Sequence, residues 1–168
     1  MKPISERWRL GALLLFLVVL QFTVRPLPED ARIEGVMPDF LFLALLVYAI
    51  RARPGQGAVA GFVVGIVTDS LSPTAFGAGA LAHTIVGYLA AWGKAVFFAD
   101  NLFVNAAFFF AGTWIRDVLV LVIGGHVHGS AVFWQIAYFS PLKALTTAIA
   151  GTVVLLLFRR LLHIRISE

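Results

Sequence analysis

The chain has 168 residues, of which 60% are hydrophobic and only 13% charged, with a mean hydropathy of +0.92. An ordinary soluble domain carries about twice that share of charge, so a soluble globule is excluded. Long apolar runs broken by Gly and Pro equally exclude disorder and coiled coil. Thirteen Lys and Arg against nine Asp and Glu give a net charge of +4 and a pI near 10.0, which in a soluble chain would point to nucleic acid. Here the basic residues stand at the ends of apolar runs, where they report topology, and no nucleic-acid partner is expected. Without cysteine there is no disulfide, thiol nucleophile or thiolate metal site. At about 20 residues per span, the length holds six helices with short loops and leaves no room for a soluble catalytic domain. The fold class expected is all-α, a polytopic membrane protein with six transmembrane helices forming one domain over 1–168.

In chain order, the first apolar run covers about 10–24 behind Lys2, Arg7 and Arg9. Its exit, Gln21-Phe22-Thr23-Val24-Arg25-Pro26, has no small-x-small cleavage site, so it reads as an uncleaved helix rather than a secretory signal. The polar stretch from Pro26 to Gly35 is a loop that lipid cannot cover. The second run, about 36–52 with its apolar part from Pro38-Asp39 to Ile50, and the third, about 57–71, are short. A re-entrant hairpin would put Arg51 and Arg53 at mid-bilayer, at about 2.5 to 3.5 kcal/mol each, so two tilted spans are expected instead. The fourth helix runs over about 74–92 behind the Ser72-Pro73 start signal, and the fifth over about 102–123. A loop around His126 and His128 follows. The aromatic segment 131–139, with Phe133, Trp134, Tyr138 and Phe139, is expected to lie at the membrane interface, and Ser140-Pro141 opens the sixth span, about 141–160. Alternate sides of this arrangement hold nine and two of the Lys and Arg outside the helices, which places both termini in the cytoplasm.

In lipid, close backbone approach over small residues supplies much of the attraction between helices. Gly57, Gly61 and Gly65 recur every four residues and form one groove, and the fourth helix adds Gly77, Gly79, Ala80 and Gly87. This surface serves either packing inside the bundle or docking of a partner's single helix. On the fifth helix Asn101, Asn105, Gly112 and Arg116 share one edge facing protein. Asp39, Asp69, Arg116, Asp117, Lys143, His126 and His128 fall at the outer end of the bundle. Asp39, directly after Pro38, stands where a carboxylate stabilises a helix start. Asp69, near a helix C-terminus, opposes the macrodipole, so an ion pair with Arg116 or Lys143 is expected. Asp117, about 100° around the helix from Arg116, is not its expected partner. His83 is expected to hydrogen-bond across helices, and His163 to be solvated at the interface. Two histidines without a third donor make no zinc site, and no nucleophile, phosphate loop or dinucleotide fingerprint is present. Neither metal, cofactor nor catalysis is expected. Transport by this chain alone is not expected either, because its acids lie at helix ends.

From Pro38-Asp39-Phe40 through Gly61-Phe62-Val63-Val64-Gly65-Ile66-Val67-Thr68-Asp69 to Phe76-Gly77, Leu81 and Val86-Gly87-Tyr88, the chain resembles the MreD family of bacterial rod-shape-determining membrane proteins. Pro38, Asp39, Gly61, Gly65, Asp69, Gly77 and Gly87 match that family's pattern, as does the start of the last helix at Ser140-Pro141-Leu142. The resemblance implies a non-enzymatic inner-membrane subunit of the elongation machinery for lateral cell wall. It implies the single-span protein MreC as partner, and through it the class B penicillin-binding protein, RodA and the MreB filament. It also implies a fold similar to the substrate-binding S component of energy-coupling-factor transporters. That kinship supplies the alternative reading, a vitamin-binding transport subunit. Such subunits usually dock through Ala-x-x-x-Ala on the first helix, which here has only Ala12.

Overall fold

The computed structural model describes residues 4–24, 37–71, 76–97, 102–125 and 129–162. Their elements are all helical: α1 Ile4–Val24, α2 Phe40–Ala49, α3 Pro54–Leu71, α4 Ala78–Phe97, α5 Leu102–Gly124, α6 Ser130–Trp134, a π-helical turn Gln135–Phe139, and α7 Ser140–Leu162.

The architecture turns on α2. Its ten residues contain no charged side chain, and Leu41 to Val47 are all buried. A helix apolar on every side belongs in the centre of a fold, and α2 is contacted by α1, α3, α4, α5 and α7. Phe42, Leu43 and Leu46 pack there with Leu13 and Leu17 of α1, Val86 of α4, Phe109 of α5 and Val154 and Leu155 of α7. The most extensive helix pairings around this centre are α3 with α4 and α5 with α7.

Helix direction alternates. Gln21, near the end of α1, bonds the start of α2, and Asp69, near the end of α3, bonds the start of α4. Arg116, late in α5, and Thr147, early in α7, both reach Asp39. One end of the bundle, the Asp39 end, therefore carries these six helix ends, and the turn Ile50–Arg53 lies at the other.

Local chemistry sets the helix limits. Pro54 opens α3 because the first helical position needs no N–H donor, and Gln56 reaches back to the Arg53 amide at 3.1 Å, one half of a capping box. Helix α4 begins at Ala78 rather than near Thr74, because Gly77 takes φ +97° and acts as its cap. Ser72-Pro73 lie outside the described residues, as do the loop 26–36, Asn101, His126, His128 and His163. The aromatic segment 131–139 is itself helical and runs without a break into α7 through the π turn. The Trp114 indole N–H donates to the Ile136 carbonyl of that turn at 3.3 Å. The hydroxyls of Thr68, Ser70, Thr84 and Thr113 bond their own backbone four residues back, Thr113 to Phe109 at 2.8 Å, which satisfies them without water.

Candidate functional site

Two structures dominate the bundle: a polar junction at the Asp39 end and a glycine seam between α3 and α4.

The junction exists because α2 starts inside protein, where its first four backbone N–H groups have no intrahelical acceptor. All four are met by side chains from two helices and from the cap residue itself. The Asp39 amide donates to Thr147 Oγ1 of α7 at 3.2 Å, and the Phe40 and Leu41 amides donate to Gln21 Oε1 of α1 at 2.8 and 3.4 Å. The Phe42 amide donates to Asp39 Oδ1 at 2.9 Å, making Asp39 the N-cap.

The other oxygen of Asp39 meets Arg116 Nη2 at 3.0 Å, and Arg116 Nε lies 3.1 Å from Asp117 Oδ1. These short contacts bring two carboxylates onto one guanidinium and neutralise it within the bundle. The guanidinium also lies over the Phe42 ring, 4.7 Å from its centroid, a cation–π placement. Lys143 is near enough to Asp39 to add a further attraction. On the same Phe42 ring, His83 packs edge-on at 5.3 Å. Its Nδ1–H donates to the Gly79 carbonyl at 2.7 Å, four residues back on its own helix. The expected bond across helices is therefore not made, and Nε2 is buried without a partner.

Two expectations are corrected here. Asp69 pairs with neither Arg116 nor Lys143 as its bonded partner. Its Oδ2 accepts the Gly77 amide at 2.8 Å and the Ala80 amide at 3.0 Å. Gly77 caps α4 but has no side chain, so one carboxylate eight residues upstream supplies both halves of a capping box. The unfavourable end of the α3 dipole is thus offset by the favourable end of α4. Gly79 makes room for this, since a Cβ there would overlap Asp69 Oδ1. Arg116, in turn, does pair with Asp117. The angle between neighbouring Cβ directions does not bind a side chain as long as arginine, whose Nε can lie back along its own helix.

In the seam, Gly57 faces the Gly87 carbonyl, Gly61 the His83 carbonyl and Gly65 the backbone of Gly79 and Ala80. Each glycine lies so close to α4 that a Cβ would overlap its backbone. Helix α4 occupies this surface, so it is not open to a partner. Three contributors escaped the sequence reading. Gln21 and Thr147 are single polar residues within apolar runs. Gly151 of α7 leaves space for Leu43 and Phe109, whose side chains would stand 2.7 Å from a Cβ.

Among the described residues no group of three or more His, Cys, Asp or Glu could hold a metal. Among the described residues two helices, Leu102–Gly124 and Val132–Leu157, are long and apolar enough to cross a membrane. The arrangement defines an all-helical protein with an apolar surface, whose buried charges are bound to helix starts and to one another.

A family model described as rod shape-determining protein MreD matches residues 6–164, and the chain belongs to that family. The family is one of membrane proteins associated with the shape complex of MreC and MreB, and membership supports a role in rod-shape determination. No curated protein and no solved structure matches the chain. The alternative of a vitamin-binding transport subunit finds no support in these comparisons.

Proposed function

We propose that the chain is a non-catalytic, six-span subunit of the elongation complex in the bacterial cytoplasmic membrane, with both termini in the cytoplasm. In this reading it scaffolds lateral peptidoglycan synthesis through helix–helix contact with an MreC-like single-span partner. RodA and a class B penicillin-binding protein belong to the same complex, and the MreB filament is reached through the partner. The observation that carries the reading is the family match over residues 6–164.

Dimensions support spans by five of the helices. At 1.5 Å per residue, α1, α3, α4, α5 and α7 with 21, 18, 20, 23 and 23 residues are about 27 to 35 Å long, against a hydrocarbon core of about 30 Å. The ten-residue α2 is about 15 Å long and is shielded from lipid by its neighbours. Exposed aromatics gather towards the two ends, Trp8 and Trp92 at one, Phe133, Trp134 and Tyr138 at the other, as interfacial belts do. Six helices of this kind are also what a resemblance to transporter S components implies.

Because the small-residue seam is taken by α3 and α4, a partner helix meets larger outward side chains such as Phe62, Leu81 and Ile85. Gly57, Gly61, Gly65, Gly77 and Gly87 then act by holding that surface in shape. Asp39, Asp69, Arg116, Asp117 and Lys143 hold the helix ends rather than a ligand. The test is purification of the tagged full chain from native membranes with identification of what accompanies it. Recovery of an MreC-like single-span protein supports the scaffold reading, and its absence from a complex that still contains RodA overturns the proposed contact.

A further inference from the structure

The helical segment that leads into α7 differs from α7 itself. Phe133, Trp134, Tyr138 and Phe139 are exposed, whereas Ser140, the next residue, is 1% exposed. Among the described residues, α6 and the π turn pair extensively with each other, and the π turn with α7, but neither does so with any other helix.

Hydrogen bonding changes register at the same place. The Ser140 amide donates to the Gln135 carbonyl, five residues back, where an α-helix would use the carbonyl four back. In that register the next carbonyl, that of Ile136, falls to residue 141. Residue 141 is proline and has no N–H to give. The donor that reaches the Ile136 carbonyl instead is the indole Nε1–H of Trp114, from α5, at 3.3 Å. Proline opens ordinary helices equally well, so Pro141 does not by itself dictate a π turn. Its effect here is to leave one carbonyl for another helix to hold. Among the described residues this is the one hydrogen bond that joins 132–139 to another helix.

The two sides of that bond differ in stiffness. Thr113 and Arg116 flank Trp114 and are buried, and Arg116 is held by Asp39 and Asp117. On the other side, prolines and π turns are where helices bend, and a segment with few buried contacts opens at low cost. Trp114 is itself 39% exposed, so water competes for its N–H. The Ser140 hydroxyl is buried without a protein partner, and hydration on opening offsets part of the bond that is lost.

We propose that Gln135–Ser140 is a hinge and Trp114 its latch. While the indole holds the Ile136 carbonyl, the aromatic segment is fixed to α5; on release it swings as a unit about the start of α7. Because Arg116 and Asp39 lie on the fixed side, the polar junction stays intact through the movement. In the six-span reading the segment is a movable aromatic strap at the outer interface. That placement rests on the six-span reading, and the hinge does not.

Distances between spin labels in the full chain, purified in detergent, test the device. The chain lacks cysteine, so Leu81→Cys on α4 and Phe133→Cys on the segment, both at exposed positions, carry the labels without background. Trp114→Phe keeps an aromatic ring and removes the N–H. It is expected to raise the population at a second distance about two- to tenfold, the ratio that one hydrogen bond of ordinary net strength carries. Pro141→Ala returns an N–H to the helix, so Trp114→Phe added to it is expected to leave the distribution unchanged. A Trp114→Phe distribution equal to that of the wild type would overturn the latch. So would an equal shift in both backgrounds, which would mean that the ring holds the segment by packing alone. Should Trp114→Phe not fold, hydrogen exchange of the amides from 137 to 142 reads the hinge in Pro141→Ala alone. Exchange about two- to tenfold slower than in the wild type is expected on the same basis, and exchange as fast or faster would overturn the hinge. Failure of an impermeant reagent to reach Gly129→Cys in intact cells would instead remove the outer placement and leave the hinge standing.

Discussion

Replacing Gly61 with alanine adds one carbon on the face that meets α4. An ideal Cβ there stands 2.7 Å from the His83 carbonyl carbon and 3.0 Å from Thr84 Cα, and overlaps the His83 carbonyl oxygen. Carbon atoms pack at about 3.5 to 4.0 Å, so the two helices must part locally by about 1 Å. The opposing atoms belong to the backbone of a regular helix, and no rotamer change relieves them. Parting at Gly61 also loosens the neighbouring contacts of Gly57 with Gly87 and of Gly65 with Ala80. Overpacking of this kind costs about 1 to 3 kcal/mol, while the better helix propensity of alanine returns up to about 1 kcal/mol. The net loss of about 1 to 2 kcal/mol lowers the melting temperature by about 2 to 8 °C for a chain of this size. Gly11 on α1 is the control, since nothing lies within 4 Å of a Cβ there and only the propensity gain remains. Tryptophan fluorescence during heating in detergent, using the four native tryptophans, reads both variants. A Gly61→Ala protein that melts at or above the wild-type temperature would refute the argument that the backbones of α3 and α4 touch there.

The buried charges give sharper outcomes. Arg116→Ala strands Asp39 and Asp117 and is expected to cost about 3 to 5 kcal/mol, read as loss of folded protein in detergent, with partial recovery when Asp39→Asn is added. Exchanging charges in D69R/R116D recovers nothing lost in either single variant, because Asp69 is bonded to backbone amides; full recovery would restore the ion pair excluded above. Asp69→Ala removes the cap of α4 and costs about 1 to 2 kcal/mol, and Asp69→Asn less. Gly79→Ala is destabilising beside Asp69 but markedly less so in the Asp69→Ala background, and the thermal-shift cycle is expected to show coupling of about 0.5 to 3 kcal/mol. The chain lacks cysteine, so single cysteines at Arg53 and Gly129 can be labelled without background. The first is expected to react only with permeant reagent in intact cells, the second with impermeant reagent as well.

What the sequence made legible follows from how local each signal is. The spacing of Gly57, Gly61 and Gly65 marks one helix face, and α4 covers that face. Asp39 announces its cap because the residue it bonds is three positions away. Asp69 could not be read in the same way, since its partners are amides of Gly77 and Ala80, and a backbone donor has no residue identity to search for. Charge complementarity pointed instead to a cation, and Arg116 had three acids near one end of the bundle to choose from. Gln21 and Thr147 were hidden for a related reason: each serves an amide on another helix, Thr147 one that is 108 residues away. The π turn left no mark because Gln135–Phe139 differs from ordinary helix only in its hydrogen-bond register.

The polar end of the bundle takes its meaning from the shortness of α2. A helix of about 15 Å that begins within the protein exposes its first amides where neither water nor lipid can satisfy them. Each must be answered by a side chain, and answering with a carboxylate then requires a cation. That sequence of demands accounts for Asp39, Gln21, Thr147 and Arg116 in turn, with Asp117 completing the neutralisation. Asp69 answers the same demand for α4. Three carboxylates that in a transporter would suggest a path for ions are here committed to amides and to one guanidinium. Their removal therefore damages the scaffold before it could reveal any transport, and this is why the variants of Arg116 and Asp69 are read first by folding and only then by cell shape.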